Sequence, residues 1–218
     1  MSARLLATFC LLSGLVALSP VRAASSQDQT LAVYLRTGGS QPAAPLEQMK
    51  RELGVLLQQA GFRVEWRSLD GEQREETDAA FLAVLELNGT CGLSSGYTEP
   101  STTKLNNSSL ATTSTSDGQV LPFSKVNCAV VTRSVAPFLQ REPVAQRDFL
   151  YGRAMARVIA HELYHVLLKT SEHAHAGIAR SCFTADDLLT ERFEFEGTTL
   201  AKLRTESTTV ASEEATDR

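Results

Sequence analysis

The sequence predicts an α+β fold, a mixed twisted sheet packed on one long helix, and three observations lead to it. The N-terminal part alternates strand-like and helix-like stretches, a threonine-rich hairpin follows, and one unbroken helical pattern runs through residues 144–169. A β-α-β-β opening with a later hairpin favours a single sheet with a helix on its face.

Residues 1–23 stand apart from that fold. "MSARLLATFCLLSGLVALSPVRA" places Arg4 before an apolar run from Leu5 to Leu18, then a proline and small residues ending at Ala23. This is the pattern of a secretory signal peptide cleaved near Ala23. The run is short of the ~20 apolar residues that a membrane span needs, and no later stretch approaches that length. The expected location is therefore secreted or periplasmic, without stable membrane insertion. The remaining residues 24–204 read as a single domain, of a size to bury one core. The polar stretch 205–218, "TESTTVASEEATDR", is expected to be a disordered tail.

Within the domain, "TLAVYLRT" (30–37) alternates as a strand does. "PLEQMKRELGVLLQQAG" (45–61) spaces Leu46, Met49, Leu53, Leu56 and Leu57 as a helix would, with Gly61 closing it. "FRVEWRSL" (62–69) alternates again, and after a charged turn "DAAFLAVLELNG" is apolar enough for a central strand. Residues 92–107 read as a polar loop. "SLATTSTSDGQVLPFSKVNCAVV" reads as a hairpin turning at Asp117-Gly118, its second strand reaching Val131. Pro122 implies that this second strand is partly unpaired or near an edge, and an edge strand can take up an extended peptide.

The charge balance, 21 Lys and Arg against 25 Asp and Glu, shows no basic cluster, so nucleic acid is not an expected partner. Outside the leader the cysteines are Cys91, Cys128 and Cys182. An exported chain meets an oxidising compartment, which predicts a Cys91–Cys128 disulfide with Cys182 left as a buried thiol.

All four histidines, His161, His165, His173 and His175, lie in "VIAHELYHVLLKTSEHAHAGIA" (158–179). One helical turn separates His161 from His165, so both project from one face. Met155, Ile159, Leu163 and Val166 form a different stripe, the natural core side, and Tyr164 is expected to be partly buried. Two neutral imidazoles, a third protein ligand and an open position make a hydrolytic zinc site. Such an ion brings the pKa of a water down to ~7 and polarises a carbonyl. Glu162, between the two histidines, is placed to act as general base on that water.

The stretch "HELYHVLLKTSEHAHAGIA" resembles the active-site helix and following turn of the zincin metallopeptidases. It is similar to the metzincin-like branch and to uncharacterised secreted bacterial proteins expected to be zinc peptidases. The resemblance implies that His161, His165 and His173 bind Zn2+, that Glu162 is the base, and that the substrate is a peptide or protein. Lys169 stands where the helix-ending glycine is usual, Ala179 where the turn carries methionine, and seven residues separate His165 from His173. His175, or Glu191 or Glu194 in a gluzincin-like hydrolase, compete for the third ligand. A zinc-stabilised binding protein without turnover is the alternative activity. Asp186 and Asp187 are expected to begin a helical turn after Thr184.

Overall fold

A computed structural model describes residues 28–69, 79–94, 97 and 108–216. The signal segment 1–23, the charged turn 70–77 and much of the 92–107 loop lie outside the described residues. The chain runs β1 (Gln29–Thr37), α1 (Ala43–Gln58), β2 (Phe62–Ser68), β3 (Phe81–Asn88), β4 (Ala111–Ser116) and β5 (Gln119–Asn127). It continues through α2 (Cys128–Leu139), α3 (Val144–Leu168), α4 (Ala185–Leu189) and α5 (Gly197–Thr216).

The fold is α+β, with the strands in one five-stranded mixed sheet of order β2-β1-β3-β5-β4. β1 pairs in parallel with β2 and β3, β3 pairs in parallel with β5, and β4 alone runs antiparallel, on β5. Leu31, Val33, Ala83, Leu85, Leu87 and Val126 are buried on these strands. They join the same core as α1 and α3. Gly152 makes the close approach of those two helices possible: a Cβ there would lie 2.6 Å from the Pro45 carbonyl oxygen and from Gln48 Cβ. The expected helix 45–61 is α1, which ends before Gly61 takes a φ of +83°.

The hairpin turns at Asp117 (φ 50°) and Gly118 (φ 76°), as expected of Asp-Gly. Its second strand is shorter than expected. After Asn127 the chain enters α2, so Cys128–Val131 are helical. The β-branched run "VNCAVV" suits a strand, but the Asn127 side chain caps the backbone N–H of Val130 and starts a helix instead. β5 lies beside the edge strand β4, as expected of a strand near an edge. Pro122 lies opposite the register shift between Thr113 and Thr115, where its missing N–H breaks no ladder bond. Cys91 and Cys128 form the expected disulfide, and Cys182 is exposed rather than buried.

Two further expectations are corrected. α5 extends through Thr216, so the stretch from Thr205 is helical there rather than disordered. Leu203 and Ser207 are buried, and Arg204 donates to the Gln59 carbonyl at 2.8 Å, which docks the polar sequence on the end of α1. The histidine face of α3 is also not outside the core. From Tyr151 to His165 every residue but Arg153 is buried, because the chain after residue 169 folds back over that face. No helix among the described residues is long and apolar enough to cross a membrane.

α3 stops without glycine. Lys169 adopts φ 48°, ψ 41°, its N–H bonds the Val166 carbonyl, and the Thr170 N–H bonds the His165 carbonyl at 3.1 Å. This is a Schellman ending with a lysine in the left-handed position. Lys169→Gly should therefore raise the unfolding free energy by about 0.5–1 kcal/mol. The reading is a higher urea midpoint at unchanged slope; a lower midpoint would mean the lysine side chain contributes more than its backbone costs.

Candidate metal centre

His161 and His165 reach the site from successive turns of α3, and both are nearly buried, at 9% and 7% exposure. His161 Nδ1 lies 2.8 Å from the Ile178 carbonyl oxygen, and His165 Nδ1 lies 2.7 Å from that of Thr170. A carbonyl oxygen only accepts, so each Nδ1 carries the proton and each Nε2 presents a lone pair. Those two Nε2 atoms face one another at 3.1 Å. Burial pushes the His161 imidazole down to about 4, with His165 and His173 adding to the effect and the Ile178 carbonyl opposing it. Burial likewise lowers His165. Both rings are thus neutral near pH 7, and two facing lone pairs repel unless a cation lies between them.

The third ring comes from the chain beyond α3. Tyr164 on the helix donates from its hydroxyl to the Glu172 carbonyl at 2.9 Å, and the Ala174 N–H bonds the Ala179 carbonyl at 2.9 Å. Gly177, at φ +67°, lets the turn press on the 194–196 backbone, where a Cβ would lie 2.5 Å from the Glu194 carbonyl oxygen. On this braced turn His173 stacks near His161, with ring centroids 5.2 Å apart, and lies 4.9 Å from His165 edge-on. His161, His165 and His173 form a group that could hold a metal ion, with one ligand atom from each and all within 4.8 Å of one another. The separation of the two Nε2 atoms is of the size that two nitrogen ligands of one small cation adopt, ~3.3 Å for bonds of 2.0–2.1 Å in a tetrahedral arrangement.

His175 is exposed and lines a neighbouring cavity with Glu196 and Lys202, on the other side of His173 from the cleft that holds His161 and His165. Glu191 and Glu194 are exposed as well, and each is held through its backbone carbonyl, by Arg157 and by the Ile178 N–H. Among the described residues none of the three joins a metal-holding group. Asp187 completes a capping box with Thr184 that starts α4, and it pairs with Arg180.

Glu162 is 5% exposed and lines the same cleft, of about 320 Å³, as the three histidines. Thr113 of β4 donates from Oγ1 to Glu162 Oε2 at 2.6 Å, and Ser124 Oγ lies 3.0 Å from Thr113 Oγ1. Burial raises the Glu162 carboxyl above its ordinary value, against the opposing Thr113 bond. Sequence reasoning missed Thr113, since it belongs to a strand 49 residues away and only tertiary packing brings it to the helix. No family model matches the chain, and no curated protein matches it.

His173→Ala should weaken zinc binding by more than about 100-fold, beyond the usual effect of losing an outer-shell partner. His175→Ala should leave it unchanged. Competition with a chromophoric chelator measures both, and the reverse order would remove His173 from the ligand set.

Proposed function

We propose that the chain is a zinc-dependent peptidase acting outside the cytoplasm, with His161, His165 and His173 holding the ion and Glu162 serving as general base. One observation carries this reading: a buried carboxylate shares a cleft with three converging imidazoles, and only one of its oxygens is engaged by Thr113. Three imidazoles without thiolate favour zinc over harder cations. When bound, zinc acidifies a water and polarises the substrate carbonyl.

The chain's own residues supply the rest. Thr113 Oγ1 fixes Glu162 through Oε2, which leaves Oε1 to remove a proton from water and pass it to the leaving amine. The raised carboxyl pKa improves the match between that base and near-neutral operation. Ala111, Thr112, Thr113 and Thr115 of the edge strand form one wall of the cleft. Among the described residues β4 has no strand on its outer side, and an extended peptide pairing there would lie beside the cleft that the histidines line, which favours a peptide over a compact substrate. The Cys91–Cys128 disulfide agrees with an oxidising compartment.

Glu162→Gln tests the reading. The variant should keep its zinc while cleavage of a peptide library falls by about 10²-fold or more; undiminished cleavage would exclude Glu162 as base. Zinc-loaded wild-type protein that cleaves nothing would leave the metal-stabilised binding protein as the better description. Thr113→Val should lower kcat about tenfold at unchanged zinc content, and a loss of zinc instead would give Thr113 a structural role.

A further inference from the structure

The N-terminal end of α3 carries a feature that the metal centre does not use. Arg147 is 9% exposed, its Nε has no hydrogen-bond partner, and no carboxylate among the described residues pairs with its guanidinium. It lines a cavity of about 670 Å³ with Pro42, Leu93, Tyr97, Thr132 and Asp148. Val144 on the rim belongs to the first turn of α3, whose N-cap, Pro143, provides no side-chain cap. The first N–H groups of that 25-residue helix therefore have no intrahelical acceptor and add positive potential to the same opening.

The Arg147 Nε is buried without a partner among the described residues, which is costly because its desolvation is not repaid. The same arrangement is ready-made for an oxyanion, with a planar fork of donors beside a helix N-terminus. Tyr97 also lines the cavity, and Pro42 and Leu93 supply apolar wall; the Thr132 hydroxyl is held by Tyr151 at 2.9 Å. Asp148, one residue on and half-buried, repels an anion and limits affinity. From Arg147 to His161 the helix rises about 21 Å, so this cavity lies well away from the metal centre.

We propose that this cavity binds the oxyanion group of a small molecule, a carboxylate or a phosphate, through Arg147 and the α3 N-terminus. The zinc-loaded full chain is titrated with succinate and with inorganic phosphate at constant ionic strength, by calorimetry and by thermal unfolding. Saturable binding of at least one probe is expected, and the tighter of the two identifies the source of the oxyanion. Arg147→Met should weaken that binding more than about tenfold and should not lower the melting temperature of the ligand-free protein, since it removes a buried Nε that has no partner among the described residues. Asp148→Asn should bind the same probe more tightly. No saturable binding of either probe, binding that survives Arg147→Met, or a ligand-free Arg147→Met protein that melts markedly earlier would each overturn the proposal. If Arg147→Met does not fold, Asp148→Asn still decides, because unchanged or weaker binding there overturns it.

Discussion

The site depends on two hydrogen bonds, from His161 Nδ1 to the Ile178 carbonyl and from His165 Nδ1 to the Thr170 carbonyl. They set which nitrogen of each ring is protonated and aim both Nε2 lone pairs at one point. Both acceptors belong to the segment that also carries His173. The helix therefore orients the turn, and the turn orients the helix's own ligands. In such an arrangement ion binding and local folding are one equilibrium, because the binding geometry exists only when the turn is seated.

The same economy governs the rest of α3. A helix buried nearly all round is ordinarily apolar all round, yet this one holds Arg157 at 1% exposure. Its guanidinium donates to the Asp187 carbonyl at 2.8 Å, lies 3.8 Å from Glu52 and packs beside the Phe193 ring. Burial lowers it to about 10, with Glu52 as the main opposing charge, so it remains protonated at neutral pH. An unpaired charge in that position would cost several kcal/mol. Its partners come from α1 and from the α4 region, so one side chain fastens two parts of the chain to the histidine-bearing helix.

Local pattern made the long helix, the Asp-Gly hairpin and the opening strand-helix-strand order legible in the sequence. That His161 and His165 meet was legible too, because they share a helix face, whereas His173 entered only through the resemblance to the zincin turn, with His175, Glu191 and Glu194 left open beside it. The strand-to-helix switch at Cys128 was not, since the β-branched valines favour a strand and the deciding Asn127 cap is a single hydrogen bond. The burial of the histidine face escaped periodicity for another reason: what covers it is a turn and an edge strand, neither visible from spacing within α3. Thr113 and Arg147 belong to the same class. Their roles come from what lies across the fold from them.

The Cys91–Cys128 link has a topological consequence. Those residues are 37 apart in sequence, and the span between them contains the whole of β4 and β5, hence Thr113 and the strand that walls the cleft. Closing a ring of this size restricts the unfolded chain by about 4 kcal/mol in the loop-entropy treatment. It also means that a single backbone scission between 92 and 110 cannot free the wall from the body of the protein. A cut there leaves the two fragments joined through the Cys91 and Cys128 sulfurs, and the wall still runs directly into α2 at Cys128, so neither half can diffuse away from the other.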